Sequence, residues 1–246
     1  MESQFKGKDR TVTADLYAGD DLETLADMPN YHGWMMDAFA PFVRGHVVEY
    51  GAGIGTISAL LLPHAERMTL VEPSANLVRA LERRFSDTPR VSVVGSMLEA
   101  HAASLAPGSA DTVVLVNVLE HVEDDAGALH ALMVALRPGG SLLLFVPALR
   151  FLMSRLDRSL GHFRRYHRPD LVAKTQAAGF AVASCRYLDL FGVAPWFLLN
   201  TLLGSMSFDP KLVRINDRYV VPLSRRVESL IPPPFGKNLL LVARKP

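Results

Sequence analysis

From residue 46 onward, short strand-like runs alternate with helical stretches, and few folds accommodate such an alternation. The runs are HVVEY (46–50), MTLVE (68–72), VSVV (91–94), DTVVLVN (111–117) and SLLLFVP (141–147). Each is close to continuously apolar, as expected of parallel strands covered on both faces. Between them lie GTISALLLPHA, SANLVRALERRF and DAGALHALMVAL. In the second of these, Leu77, Ala80, Leu81 and Phe85 recur at helical spacing, while Arg79, Glu82 and Arg83 fall opposite. Ser74 stands where an N-cap belongs. The pattern predicts right-handed crossovers and a doubly wound, mostly parallel α/β sheet of seven strands, the last two being AVASCRYLDL (181–190) and NLLLVARKP (238–246). Ligands of such sheets sit outside the carboxyl ends of the strands, where strand order reverses.

The remaining chain divides around that core. Residues 1–45 read as an N-terminal helical cap, 46–189 as the core, 190–237 as an insert and 238–246 as the last strand, all within one domain. A chain of 246 residues, 49% of them hydrophobic, can bury one sizeable core. Its net charge of +1 gives no electrostatic reason to expect a nucleic-acid partner. Cys185 is the only cysteine, so no intramolecular disulfide forms, and its apolar setting predicts a buried, inert thiol in a reducing compartment. The polar start MESQFKGKDR carries no apolar signal core, and the expected location is the cytoplasm. Residues 191–208 are apolar but broken by Pro195, Asn200 and Gly204. A spanning helix needs about 20 mostly apolar residues, so a lid, an interface in a homodimer or a helix lying on a membrane surface fits better than a transmembrane segment.

The chemistry begins at VVEYGAGIG. Gly51, Gly53 and Gly55 follow the first strand and open a helix, which lets backbone and free N–H groups approach a ligand. The dinucleotide fingerprint wants a third glycine three residues after the second, where this chain has Thr56. Glu49 can orient the turn or, through water, meet a cationic amino group. Glu72, ending the second strand, can accept both hydroxyls of a ribose or cap the helix that follows.

Taken in order, VVEYGAGIG, VEPSANLV, GSMLE, ADTVVLVNVLEHVED and LRPGGSLLLFVP resemble the successive motifs of the class I S-adenosylmethionine-dependent methyltransferases. The resemblance covers about residues 30–180 and implies a Rossmann-like methyltransferase fold with S-adenosyl-L-methionine as cofactor and S-adenosyl-L-homocysteine as product. It implies that Gly51, Ala52 and Gly53 line the methionine part, Glu72 the ribose, Pro73 with Ser74 the adenine face, and Ser96 with Met97 the adenine edge and face. Asn117, Val118 and His121 would approach from the fourth strand, and Tyr31 and Trp34 of MPNYHGW would close over the cofactor carboxylate. Many members carry Asp at the position of Ser96, so a direct bond to the adenine amino group is not implied here.

After the fifth strand, LDRSLGHFRRYHRPDL resembles a GH-aromatic-RRY segment of one branch, whose members act on small molecules, glycans or lipid-linked precursors. His162 or Tyr166 would face the acceptor, with Arg164 or Arg165 pairing an acceptor anion or a carboxylate such as Glu120. Methyl transfer needs alignment and removal of the acceptor proton, and histidine titrates nearest neutrality, so His162 is the first candidate base, followed by His121 and His167. Glu123, Asp124 and Asp125 are explained by a helix N-terminus, and no metal site is expected. The expected activity is O-methylation of a small-molecule or biosynthetic precursor. Alternatives are a lipid-linked or glycan acceptor, a nicotinamide-dependent oxidoreductase, and a non-catalytic cofactor-binding subunit, in a monomer or homodimer.

Overall fold

A computed structural model describes residues 16–17 and 21–246; the polar N-terminal stretch lies outside the described residues, as does part of the expected helical cap. All seven expected strands form: β1 (His46–Tyr50), β2 (Arg67–Glu72), β3 (Val91–Gly95), β4 (Ala110–Val116), β5 (Leu136–Pro147), β6 (Ala181–Leu188) and β7 (Asn238–Arg244). They make one sheet in the order β3-β2-β1-β4-β5-β7-β6. β7 runs antiparallel to both β5 and β6, and the other pairs are parallel. Strand order reverses between β1 and β4, which locates the crevice.

The helices are α1 (Asp21–Ala26), α2 (Pro29–Phe39), α3 (Thr56–Leu61), α4 (Ala75–Arg84), α5 (Leu98–Ser104), α6 (Asp125–Ala135), α7 (Arg155–Ser159) and α8 (Arg168–Ala177), followed within the insert by α9 (Val193–Trp196), α10 (Pro210–Ile215) and α11 (Val221–Leu230). Strand residues alternate between the two faces of the sheet, as the two-residue period requires. Leu142, Leu144 and Val146 pack with Leu98, Leu129, Leu132 and Leu171 on one face. Leu143 and Phe145 pack with Phe39, Leu61 and Leu81 on the other. This double burial is why β5 and β7 read as unbroken apolar runs.

Several details depart from the sequence reading. Ser74 precedes α4 but makes no side-chain cap. Trp34 is a core residue, packed between α2 and the sheet. Cys185 is partly exposed rather than buried, and desolvation pushes its thiol up to about 12. Asp124 caps α6 by accepting the Gly127 N–H at 2.9 Å. Asp125 instead turns inward to Lys174, Arg164 and Tyr166. No described helix is long and apolar enough to cross a membrane.

The insert forms two helical stretches. One continues α9 through a π-helical turn, Phe197–Leu202; the other joins α10 to α11 through a second π-helical turn, Asn216–Val220, just ahead of Pro222. Asp217 of that turn accepts the N–H groups of Asn30 (3.2 Å) and Tyr31 (2.9 Å), so the insert supplies the carboxylate that caps α2 from far along the chain.

Gly55 tests the packing of the first crossover. Its φ is 82°, and a Cβ there would lie 2.8 Å from the Phe85 ring and 3.0 Å from Leu81. Gly55→Ala is expected to destabilise the fold by roughly 1–3 kcal/mol, from the left-handed backbone and overpacking together. Urea denaturation measures it; an unchanged midpoint would contradict this packing.

Candidate active site

The chain leaves β1 through a turn in which Gly51 and Gly53 both have left-handed backbone, φ 67° and 57°. Gly51 also guards space: a Cβ there would come 2.4 Å from Val118 Cγ2 and close the gap to the loop after β4. The N–H groups of Gly51 and Ala52 donate to the Val71 carbonyl at 2.8 and 3.3 Å, stapling the turn to β2. Glu72 finishes the cradle, accepting the N–H of Gly53 and of Ser74, each at 3.0 Å. A carboxylate has about four acceptor positions, so two remain for a ligand's hydroxyls. Pro73 is exposed beside it, and Met97, 46% exposed, offers an apolar face. The Ser96 hydroxyl donates to the Met97 carbonyl at 3.1 Å. Asn117, exposed at the end of β4, adopts φ 52° and donates its N–H to Phe145 at 2.8 Å.

Glu49 tests which ligand the cradle fits. It is 2% exposed, and its Oε2 has no hydrogen-bond partner. Burial pushes its carboxyl up to about 8, the Ser58 hydroxyl opposing and the charge of Glu72 adding. An orphaned buried carboxylate oxygen behind a glycine turn suits a ligand bearing a cationic amino group, and Glu72 suits one bearing a diol. The residues therefore fit a nucleoside with an amino-acid tail.

Tyr31 and Trp34 have different surroundings. Trp34 is buried, edge-on to Tyr31 at 6.4 Å. The Tyr31 hydroxyl accepts from the Asn238 amide, and the ring meets Phe145 at 6.0 Å and the Lys237 ammonium at 5.4 Å. Tyr31 thus faces the carboxyl end of β5. Leu22 of α1 stands at the glycine turn instead, 3.6 Å from where a Gly53 Cβ would be.

The second half of the site joins two motifs that are distant in sequence. The Phe163 N–H donates to the Glu120 carbonyl at 2.9 Å, so the segment after α7 docks on the loop after β4. The His121 and His162 rings meet edge-on at 4.6 Å. His162 Nδ1 lies 3.1 Å from Asp157 Oδ1. Asp157, wholly buried, also accepts Ser154 N–H at 2.6 Å, Ser154 Oγ at 2.7 Å, and Arg165 Nε and Nη2 at 3.1 and 2.8 Å. Burial opposes its ionisation, but the bonds from His162 and Arg165 outweigh that and hold the carboxyl well below the usual range. The sequence reading missed Asp157, whose only signal is its place five residues before His162.

Three residues of this segment anchor the loop, and a fourth lies outside the histidine pair. Arg165 pairs with Asp157 and the Ala148 carbonyl, and its guanidinium stacks 4.6 Å over Trp196, so the carboxylate it bonds is Asp157 rather than Glu120. Tyr166 is buried and donates to Asp125 at 2.8 Å, with burial and that carboxylate raising its pKa far above 10, so it anchors the loop rather than facing an acceptor. Arg164 pairs with Asp125 at 2.7 Å. His167 sits at the N-cap of α8, outside the His121–His162 pair.

Glu120 is fully buried with neither carboxylate oxygen hydrogen-bonded; burial, partly offset by Arg165, pushes it up to about 8. Glu120, His121 and His162 bring one potential ligand atom each within 4.8 Å of one another, a donor set that could hold a divalent cation. A second cluster closes the acceptor end. Lys237 pairs with the buried Asp189 at 2.8 Å and lies 5.8 Å from the Trp196 ring, tying β7, the end of β6 and the insert together.

A family model described as a methyltransferase domain matches residues 26–184. A ubiquinone biosynthesis O-methyltransferase of Azotobacter vinelandii is 29% identical over 150 residues, which is 55% of this chain and 64% of that protein. An uncharacterized methyltransferase of Mycobacterium tuberculosis is 31% identical over 119 residues, 47% of this chain and 59% of that protein. The chain thus spans less than two thirds of the length of these curated relatives. Among solved structures, the N-methyltransferase NodS of Bradyrhizobium japonicum, in complex with S-adenosyl-L-homocysteine, superposes with a TM-score of 0.60 at 15% identity, covering 93% of this chain and 94% of that one. A SAM-dependent methyltransferase of Archaeoglobus fulgidus gives 0.61 at 14% identity, covering 89% and 94%.

Glu49 yields a pH test. Its carboxyl titrates near 8 in the folded chain and near 4.5 when unfolded, so between these values the folded chain keeps a proton that the unfolded one has lost. Its contribution to stability is whole below pH 4.5 and is lost as pH rises towards 8. Glu49→Gln cannot ionise, so the stability difference between variant and wild type should move in the variant's favour from pH 5 to pH 8.5, as read by urea unfolding. A difference independent of pH would refute the burial assigned to Glu49.

Proposed function

Because the chain belongs to the methyltransferase-domain family, we propose that it transfers the methyl group of S-adenosyl-L-methionine to a hydroxyl of a small biosynthetic precursor. The cofactor supplies an electrophilic methyl on a sulfonium, whose departure requires no protonation. The chain's own residues do the rest. Gly51 and Gly53 admit the amino-acid part, Glu49 answers its cationic group, Glu72 accepts the ribose hydroxyls and Met97 covers the base.

The observation that carries the reading is the Asp157–His162 pair beside the loop after β4. Asp157 Oδ1, 3.1 Å from Nδ1, stabilises the imidazole once it is protonated, which leaves Nε2 to take the acceptor's proton. Arg165 keeps Asp157 ionised and so acts as a positioning residue. Oxygen as the methylated atom draws support from the curated relatives named O-methyltransferases. The insert at 190–237 supplies the acceptor wall through Trp196.

Two variants divide the roles. Glu72→Ala should abolish binding of S-adenosyl-L-homocysteine in calorimetric titration, while NAD binds neither protein. His162→Ala should retain that binding yet lower kcat by roughly 10²–10⁴-fold with any acceptor the wild type methylates. Loss of nucleoside binding in His162→Ala, or undiminished turnover, would overturn the assignment of the base. Turnover that survives exhaustive chelation keeps the proton on His162; turnover lost to chelation and restored by a divalent cation moves that role to a cation held by Glu120, His121 and His162.

A further inference from the structure

The stretch from α10 to α11 is built inside out. Facing the protein are Asp217, Val221 and Ser224, all buried, two of them polar. Facing solvent are Leu212, Ile215, Tyr219, Leu223 and Leu230, with exposures of 50, 53, 62, 55 and 78%. Their spacing of three, four or seven residues keeps them on one side of the helix. The other helical stretch of the insert adds Leu198, Leu202 and Leu203, exposed by 50, 65 and 68%. Scattered apolar residues on a surface need no explanation, but a row along one side of a helical stretch does.

Charge says what covers them. Lys211, Arg214, Arg218, Arg225 and Arg226 are all exposed on the same stretch. Its two acids are spent internally: Asp217 caps α2, and Glu228 accepts the Leu190 N–H at 2.8 Å. Arg225 and Arg214 reach Asp37 and Asp27 on the neighbouring N-terminal helices, but these pairs are exposed and weak. A convex apolar row beside a cationic row suits a plane rather than a groove-bound segment, and an isologous contact with a second copy would bring like charges together. Five cations also bar the stretch from crossing a bilayer.

We propose that the outer face of residues 196–230 docks on an anionic lipid bilayer, with the apolar row at the boundary between headgroups and acyl chains and the basic row among the headgroups. Asp217 and Trp196 link this face to α2 and the carboxyl end of the sheet, so the methyl-accepting mouth opens towards the membrane. On the reading of the site given above, the acceptor is then a lipid-borne hydroxyl compound.

Co-sedimentation of the whole protein with vesicles tests the docking without reference to turnover. Vesicles of phosphatidylcholine with 30–40% phosphatidylglycerol, roughly the anionic content that basic surfaces require, should retain the protein, and pure phosphatidylcholine should not. High salt should release it. The triple variant Leu212→Ser, Ile215→Ser, Leu223→Ser and the double variant Arg218→Gln, Arg226→Gln should each weaken retention by roughly tenfold or more, with S-adenosyl-L-homocysteine binding unchanged as the check on folding. Retention equal on both vesicle types, or untouched by both variants, would overturn the proposal. So would a stable dimer in light scattering that the serine variant dissolves, which would make the apolar row an interface between copies. Docking with no nucleoside binding would sustain the surface and remove the methyl-transfer reading.

Discussion

The wholly buried carboxylate of Asp157 fixes more of the acceptor side than any other group. Four donors converge on it from Ser154 and Arg165, and His162 Nδ1 lies 3.1 Å away. Each carries a consequence: the Ser154 capping box starts α7, Arg165 bonds the Ala148 carbonyl and stacks on Trp196, and His162 Nδ1 sits 3.1 Å from the carboxylate. Desolvating such a charge is costly, and an uncompensated one would destabilise the fold by roughly 3–5 kcal/mol. The loop therefore has little freedom to adopt another arrangement while Asp157 stays inside, and precise placement of the imidazole follows from a stability constraint.

The same device recurs at each seam of the molecule. Glu72 binds the glycine turn to β2, Asp125 joins the start of α6 to α8, Asp189 holds Lys237 at the end of β6, and Asp217 caps α2 from the insert. Hydrophobic burial is non-directional and holds the sheet and its helices together. Loops outside the sheet have little apolar surface to bury, and directed charge-assisted bonds define them instead. Glu49 and Glu120 lack such partners, and they are the two carboxyls that burial pushes up to about 8. Both border the crevice, where an unmet bond is available to a ligand.

The sheet was legible in the sequence because its signal is local. Runs such as SLLLFVP state their double burial residue by residue, and the strands formed within a few positions of expectation, except that β5 starts at Leu136, where Ala110 pairs with Leu136 across a register irregularity. The glycine turn and Glu72 were legible for the same reason. What was not legible depended on contacts between distant segments. Tyr31 and Trp34 looked alike as aromatics near the start of the domain, yet one faces Lys237 and the other the core, a distinction made by β7 more than 200 residues later. Arg164, Arg165 and Tyr166 looked available because a basic loop is usually solvated; Asp125 and Asp157 had already claimed them. Tightly clustered charges in a sequence do not say which will be spent in holding the loop that carries them.

That distinction separates the two ends of the site. On the cofactor side the contacts are made largely by backbone and by carboxylates next to strand ends, so their geometry is inherited from the sheet and varies little with the side chains nearby. On the acceptor side proposed above, the walls come from segments that the sheet does not position: Trp196 from the insert, His162 from the loop after α7, Tyr31 from α2. Arg165, Lys237 and the carboxylates they pair with join these segments. The insert reaches the glycine turn through helices rather than strands: Asp217 caps α2, and α10 packs on α1, whose Leu22 stands at Gly53. An outer face free to be apolar and cationic is compatible with an unaltered cofactor cradle, and the chain combines the two by giving each its own set of anchors.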